Sequence, residues 1–169
     1  MIAKLQKLYE KRGIITAHQI GVNKDMLSPA AYTRCFHSLD RAFQKMFSPV
    51  LEQTICSVVD QLSHKVRKIE EFEDYYVVDD SFSILIQPSV PVPYGYQVFW
   101  AFYPDARLEV DITLGIPLSN DKQYQILGYV VFPRLLVKSQ NIRLFSSSDG
   151  KLELYGYQDL QIIDTLLAS

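Results

Sequence analysis

Between positions 24 and 45, Lys24, Thr33, Arg34, His37, Arg41 and Lys45 place four cations and two hydrogen-bonding side chains in one short stretch. Cations at this density neutralise phosphates, and an arginine or threonine that enters a groove also touches base edges. Their setting fits a helix-turn-helix with a slightly long turn: a short capped helix from Thr16 to Val22, then a second helix from Ser28. In that arrangement Tyr32 and Phe36 anchor the second helix, while Ala30, Ala31, Thr33, Arg34 and His37 face outward. Small residues at its start permit close approach to a groove. The plainer alternative is a three-helix packing unit with an unremarkable face.

A second chemistry needs carboxylates beside a lysine, to hold a divalent metal and activate water. Asp105, Glu109 and Asp111 with Lys122, and the D-x-K of Asp149-Gly150-Lys151, are the candidates for a metal-dependent nuclease. Each has an ordinary reading as well. Asp-Gly is the preferred hairpin dipeptide, Pro104-Asp105 starts a turn, and Glu109 and Asp111 alternate on one solvated strand face. A third option is a protein-interaction or inhibitor module, in which acidic Asp79, Asp80, Glu109 and Asp111 mimic phosphates to a partner.

Other chemistries find less support. Tyr94, Tyr96, Phe99, Trp100, Phe102 and Tyr103 offer a base-stacking platform, but strand alternation puts only half of them on one face. His18, His37 and His64 lack metal-ligand spacing. Cys35 and Cys56 are too few and too far apart for a disulfide framework or a zinc site, and read as small half-buried hydrophobes. No glycine-rich phosphate loop occurs among the seven glycines. No catalytic residue, metal or cofactor is therefore assigned.

These residues must be positioned by a chain of 169 residues, 48% hydrophobic and 21% charged, which is ample for a packed interior. The net charge of -2 hides an asymmetry: residues 1–47 carry eight Lys/Arg against three Asp/Glu, a net of +5, and the remainder sums to -7. A basic end on an acidic body suits electrostatic steering towards a polyanion. The start, MIAKLQKLYEKRG, lacks the apolar core of a signal peptide, and no apolar run reaches membrane-spanning length. A reduced cytoplasmic location is the expectation.

Helical spacing of Ile2, Leu5, Leu8 and Tyr9 predicts a first helix stopped at Gly13. Thr16 and Gln19 form a capping-box pattern, and Ser28-Pro29 and Ser48-Pro49 repeat one helix-start signal. Tyr32, Phe36, Leu39 and Phe43 make one stripe, interrupted at His37-Ser38 by a kink or a boundary between two helices. Leu51, Ile55, Val58, Val59, Leu62, Val66 and Ile69 predict one long helix over 50–72, fraying near Ile69. Beyond Asp74 the period becomes strand-like. YYVVDDSFSILIQ reads as a hairpin around Asp79-Asp80-Ser81, and PSVPVP as a break unfit for a central strand. Strands follow in GYQVFWAFYP, LEVDITLGIP and QYQILGYVVFP, then a hairpin turning at Asp149-Gly150 and a closing helix through Leu160, Ile163, Leu166 and Leu167. The class is α+β, with a helical module over residues 1–72 and an aromatic-rich, mostly antiparallel β domain over 73–169.

The stretch LSPAAYTRCFHSLDRAF resembles a segment downstream of the catalytic domain in bacterial serine-recombinase-family proteins, P-S-x-x-x-Y-x-x-R-F-G-S-L-x-x-A-Y. It is also similar to homing-endonuclease-associated repeats. Ser28, Tyr32, Phe36, Ser38, Leu39 and Ala42 match, Phe43 stands for the last tyrosine, and Ile20 suits the preceding helix. Trp100, Asp111-Ile112-Thr113, Tyr129 through Pro133, and Tyr157 through Leu160 fall where the same region has its later motifs. Leu27, Cys35 and His37 depart from its Pro, Arg and Gly, and Gly128 from an acidic residue. The recombinase catalytic domain has no counterpart here. The resemblance implies a non-enzymatic DNA-binding accessory protein of mobile genetic elements, with DNA as partner and a possible protein partner at the acidic β half.

Overall fold

The computed structural model describes residues 1–104, 108–134, 141–146 and 156–168. Its first half is helical: α1 (Ile2–Arg12), α2 (Ala17–Gly21), α3 (Pro29–Phe36), α4 (Leu39–Lys45) and α5 (Ser48–Gln61). Gly13 ends α1 in a left-handed conformation, φ 70°, which returns its N–H to the Tyr9 carbonyl. The capping box forms as the spacing implies: the Gln19 N–H donates to the Thr16 hydroxyl at 3.1 Å, and the Thr16 N–H to the Gln19 amide oxygen at 3.0 Å.

Ser28 and Ser38 cap α3 and α4 by accepting from the Ala31 and Arg41 N–H groups. The break at 37–38 is thus a boundary between two helices. His37 makes it by taking φ 66°, a conformation that glycine adopts without penalty and histidine does not. Tyr32 and Phe43 are buried on either side of this joint, and Phe36 and Leu39 pack against the same core.

The long helix expected over 50–72 stops at Gln61. Leu62 is extended, and Val66–Lys68 form strand β1 instead. β1 pairs antiparallel with β2 (Tyr75–Val78), Val66 opposite Val78. Val66 fits either periodicity, and pairing with β2 decides between them. Continuing the helix would also have set Glu70, Glu71, Glu73 and Asp74 against the negative end of its dipole.

β3 (Phe82–Ser89) completes the expected hairpin, turning at Asp79 and Asp80, both with positive φ. β6 (Ile112–Pro117) lies parallel to β3, and β7 (Val130–Pro133) adds antiparallel to β6, so the five-stranded sheet runs β1-β2-β3-β6-β7 and is mixed. Every residue of β6 is buried, as expected for a central strand covered on both faces.

Pro88 sits in β3, the middle strand, against the expectation that the proline-rich run falls outside it. The reason is positional. The Ile86 N–H donates to the Asp74 carbonyl, so the nitrogen two residues on points the same way, past the end of β2, where no acceptor is lost.

A second sheet of three antiparallel strands, β4 (Val92–Tyr94), β5 (Gln97–Phe102) and β8 (Ile142–Phe145), packs on the first. Side chains stitch the sheets together. Gln87 in β3 donates to the Tyr103 carbonyl at 3.0 Å and accepts from its N–H at 2.6 Å, and the Ala101 N–H donates to the Ser89 hydroxyl. Gln44 of α4 repeats the device on Val90, with both bonds at 2.9 Å and fully buried. The Trp100 indole donates to the Leu118 carbonyl at 2.8 Å. One hydrophobic cluster runs from Leu5 through the strands to Ile163 of the C-terminal helix α6 (Gln161–Leu167). The expected Asp149-Gly150 turn lies outside the described residues, and among those described no helix is long and apolar enough to cross a membrane.

Candidate nucleic-acid interface

Capping and the apolar stripes orient the cations of the helical half. With Leu5 and Leu8 of α1 buried, Lys4, Lys7 and Lys11 share an exposed stripe of the helix beside them, since they recur at three and four residues. The Lys4 ammonium donates to the Asp25 carbonyl at 2.8 Å, which joins α1 to the turn before α3. Lys24 is exposed on that turn. Tyr32, wholly buried, fixes the rotation of α3, so Thr33 and Arg34 face solvent as the spacing requires. Thr33, however, donates its hydroxyl to the Pro29 carbonyl of its own helix.

The remaining three of the six site residues turn elsewhere. His37, Arg41 and Lys45 line a cavity of about 600 Å³ between α3, α4, α5 and the strands. The Arg41 guanidinium lies 4.5 Å from the centroid of the Tyr103 ring, and Lys45 pairs with Glu73. The six therefore form two groups: Lys24, Thr33 and Arg34 on an outer face, and His37, Arg41 and Lys45 around the cleft, with His37 and Lys45 themselves exposed.

That cleft contains a group with no sequence signal. Asp74 stands in the left-handed region, φ 61°, and its carboxyl is pushed up to about 6, chiefly by burial and then by Glu73, with Lys45 and Lys68 opposing. The Tyr103 hydroxyl is raised as well, by burial first and by Asp40 second. Burial depends on how distant elements pack, so neither shift is legible in the residue order.

The carboxylates considered for metal chemistry are occupied structurally. Asp111 accepts from both the N–H and the hydroxyl of Ser83 at 2.7 Å, a junction that starts the parallel β3–β6 pair. Glu109 pairs with Arg134 at 3.1 Å and lies ahead of β6 instead of on a strand. Asp105, Asp149 and Lys151 lie outside the described residues. Among those described, no three His, Cys, Asp or Glu side chains gather closely enough to hold a metal ion. Asp79 and Asp80, proposed with Glu109 and Asp111 as an acidic docking surface, are likewise engaged, by His64 and by Lys65.

The aromatic run divides as alternation requires. Trp100 and Phe102 turn to the inner face, where Phe102 meets Phe132 at 5.6 Å. Phe99 packs on Tyr94 and Phe145 on the other face, with the Arg143 guanidinium 4.9 Å from its ring centroid. Cys35 and Cys56 are free and exposed on α3 and α5, not half-buried. No family model, no curated protein and no solved structure matches this chain.

Proposed function

We propose that the chain is a DNA-binding protein that engages the phosphate backbone through the outer face of its helical half. One contrast carries the reading. Lys7, Lys11, Arg12, Lys24 and Arg34 are exposed on α1–α3 without a carboxylate partner among the described residues. Beyond that face Lys45, Lys65, Arg134 and Arg143 are paired with carboxylates, and Arg67, Lys68 and Lys122 are the exposed cations without such a partner among the described residues. Unpaired surface cations are free to replace condensed counterions on a duplex, which is the main source of sequence-independent affinity. Arg34 and Thr33 then approach a groove from α3, while Arg41 and Lys45 are held back in the cleft. An accessory role in mobile-element recombination, and a cytoplasmic place of action, rest on the sequence alone.

Fluorescence anisotropy with a labelled duplex of about 25 base pairs tests this. If about four phosphates are neutralised, affinity falls roughly 10²-fold between about 50 and 200 mM salt. Lys24→Ala and Arg34→Ala together weaken binding and flatten that slope by about two. Absence of binding at about 50 mM salt, or a double variant that binds like the parent, refutes the proposal.

A further inference from the structure

His64 lies where the helical half meets the sheet, just after α5, and both of its ring nitrogens are engaged. Nδ1 is 2.7 Å from an Asp79 carboxylate oxygen on the β2–β3 turn, and Nε2 is 2.7 Å from one of Asp164 on α6. A neutral imidazole has one N–H and one acceptor nitrogen, so it satisfies only one of two carboxylates. Two contacts of this length require the doubly protonated ring, donating to both.

The arrangement is built from one side. The other Asp79 oxygen accepts the Lys65 N–H at 3.0 Å, and the Asp79 N–H donates to the Lys65 carbonyl at 2.9 Å. Asp79 is therefore fixed, and the movable partner is Asp164. The nearby charges Lys65 and Asp80 neutralise one another at 2.8 Å, with Arg67 adding its charge near Asp80. Ile163 is the one fully buried side chain of α6, Ile162, Leu166 and Leu167 pack partly buried against the same core, and a bridge between Tyr129 and Tyr157 precedes the helix.

We propose that His64 is a pH-sensitive latch which, when protonated, ties the C-terminal helix α6 to the β2–β3 turn and releases it on deprotonation. The neutral ring loses one carboxylate contact, and α6 then keeps its apolar packing without that tie. Both carboxylates favour the charged ring, first Asp164 and then Asp79, and raise its pKa above the ordinary 6.5. The sign follows from linkage. A raised folded-state value makes the latch fully closed below about 6.5, and the contribution disappears as pH climbs through the raised value. Opening uncovers the part of the core that Ile163 fills.

Hydrogen exchange of the α6 amides, corrected for intrinsic rates and referred to the β3 and β6 amides, measures the latch directly. Between about pH 6 and about pH 9, α6 protection falls several-fold while the strands stay unchanged. Asp164→Asn, at an exposed position, lowers α6 protection at the acidic end and abolishes its pH dependence. Ring ¹⁵N shifts show His64 doubly protonated at about pH 6 and titrating above 6.5. A His64 that titrates at or below that value, an α6 protection that ignores pH, or a dependence that survives Asp164→Asn each overturns the proposal.

Discussion

Asp74 shows what a single residue costs and where. Its left-handed backbone strains a side chain that bears a Cβ, and burial beside Glu73 disfavours its charge. Because its folded pKa of about 6 lies above the ordinary 3.8, the folded chain keeps a proton that the unfolded chain has already released. Stability contributed by this site therefore falls as pH rises from about 4 to about 6, and is flat beyond. Asp74→Asn, neutral and better suited to the left-handed region, removes that fall. Partial exposure screens the effect, so we expect a gain of about 1 kcal/mol at pH 7, read by urea denaturation of both proteins at two pH values. A variant no more stable than the parent at pH 7 rules the argument out.

Among the elements, β6 is the most constrained. It pairs with β3 on one side and β7 on the other, and Gly115 lets the Phe102 ring of the second sheet lie close against it. A Cβ at Gly115 meets Phe102 at 2.9 Å and Phe132 at 3.0 Å, two aromatic rings packed on one another at a 47° tilt with little room to retreat. Gly115→Ala is expected to lower stability by about 1–3 kcal/mol, visible as a shift of the denaturation midpoint without a change in slope. An unshifted midpoint means the two rings separate freely. The same crowding explains why the strand is wholly apolar apart from Thr113 and Gly115: no water reaches either face.

At the scale of the molecule, the helical half and the sheets share one core and are joined by Gln44, whose amide closes both backbone groups of Val90. Gln44→Leu keeps the volume, orphans the buried Val90 N–H and leaves its carbonyl only the Ser89 hydroxyl, which costs about 1–3 kcal/mol. Trp100 fluorescence reports the sheets, and far-ultraviolet circular dichroism is dominated by the helices. With a continuous core the two signals unfold together, and the variant shifts both by the same amount. Separate transitions, with the helical signal alone displaced, point instead to residues 1–72 and 73–169 folding as independent units.

Local chemistry made much of this legible. The capping box at Thr16, the serine caps at 28 and 38, the hairpin at Asp79-Asp80 and the closing helix each depend on neighbours within a few residues, so the sequence alone determined them. So did the outward placement of Arg34, since the buried stripe of a helix dictates its opposite face. Tertiary structure decided the rest. Val66 is a strand residue because β2 lies beside it, and Pro88 is tolerated in β3 because β2 has already ended. Arg41 and Lys45 left the outer face because Tyr103 and Glu73, far along the chain, offered a ring and a carboxylate. His64 acquired its two carboxylates from positions 15 and 100 residues away. Periodicity records which side of an element is apolar, but not which distant element arrives to cover it. The pairings that set charge and burial are therefore fixed only when the chain closes on itself.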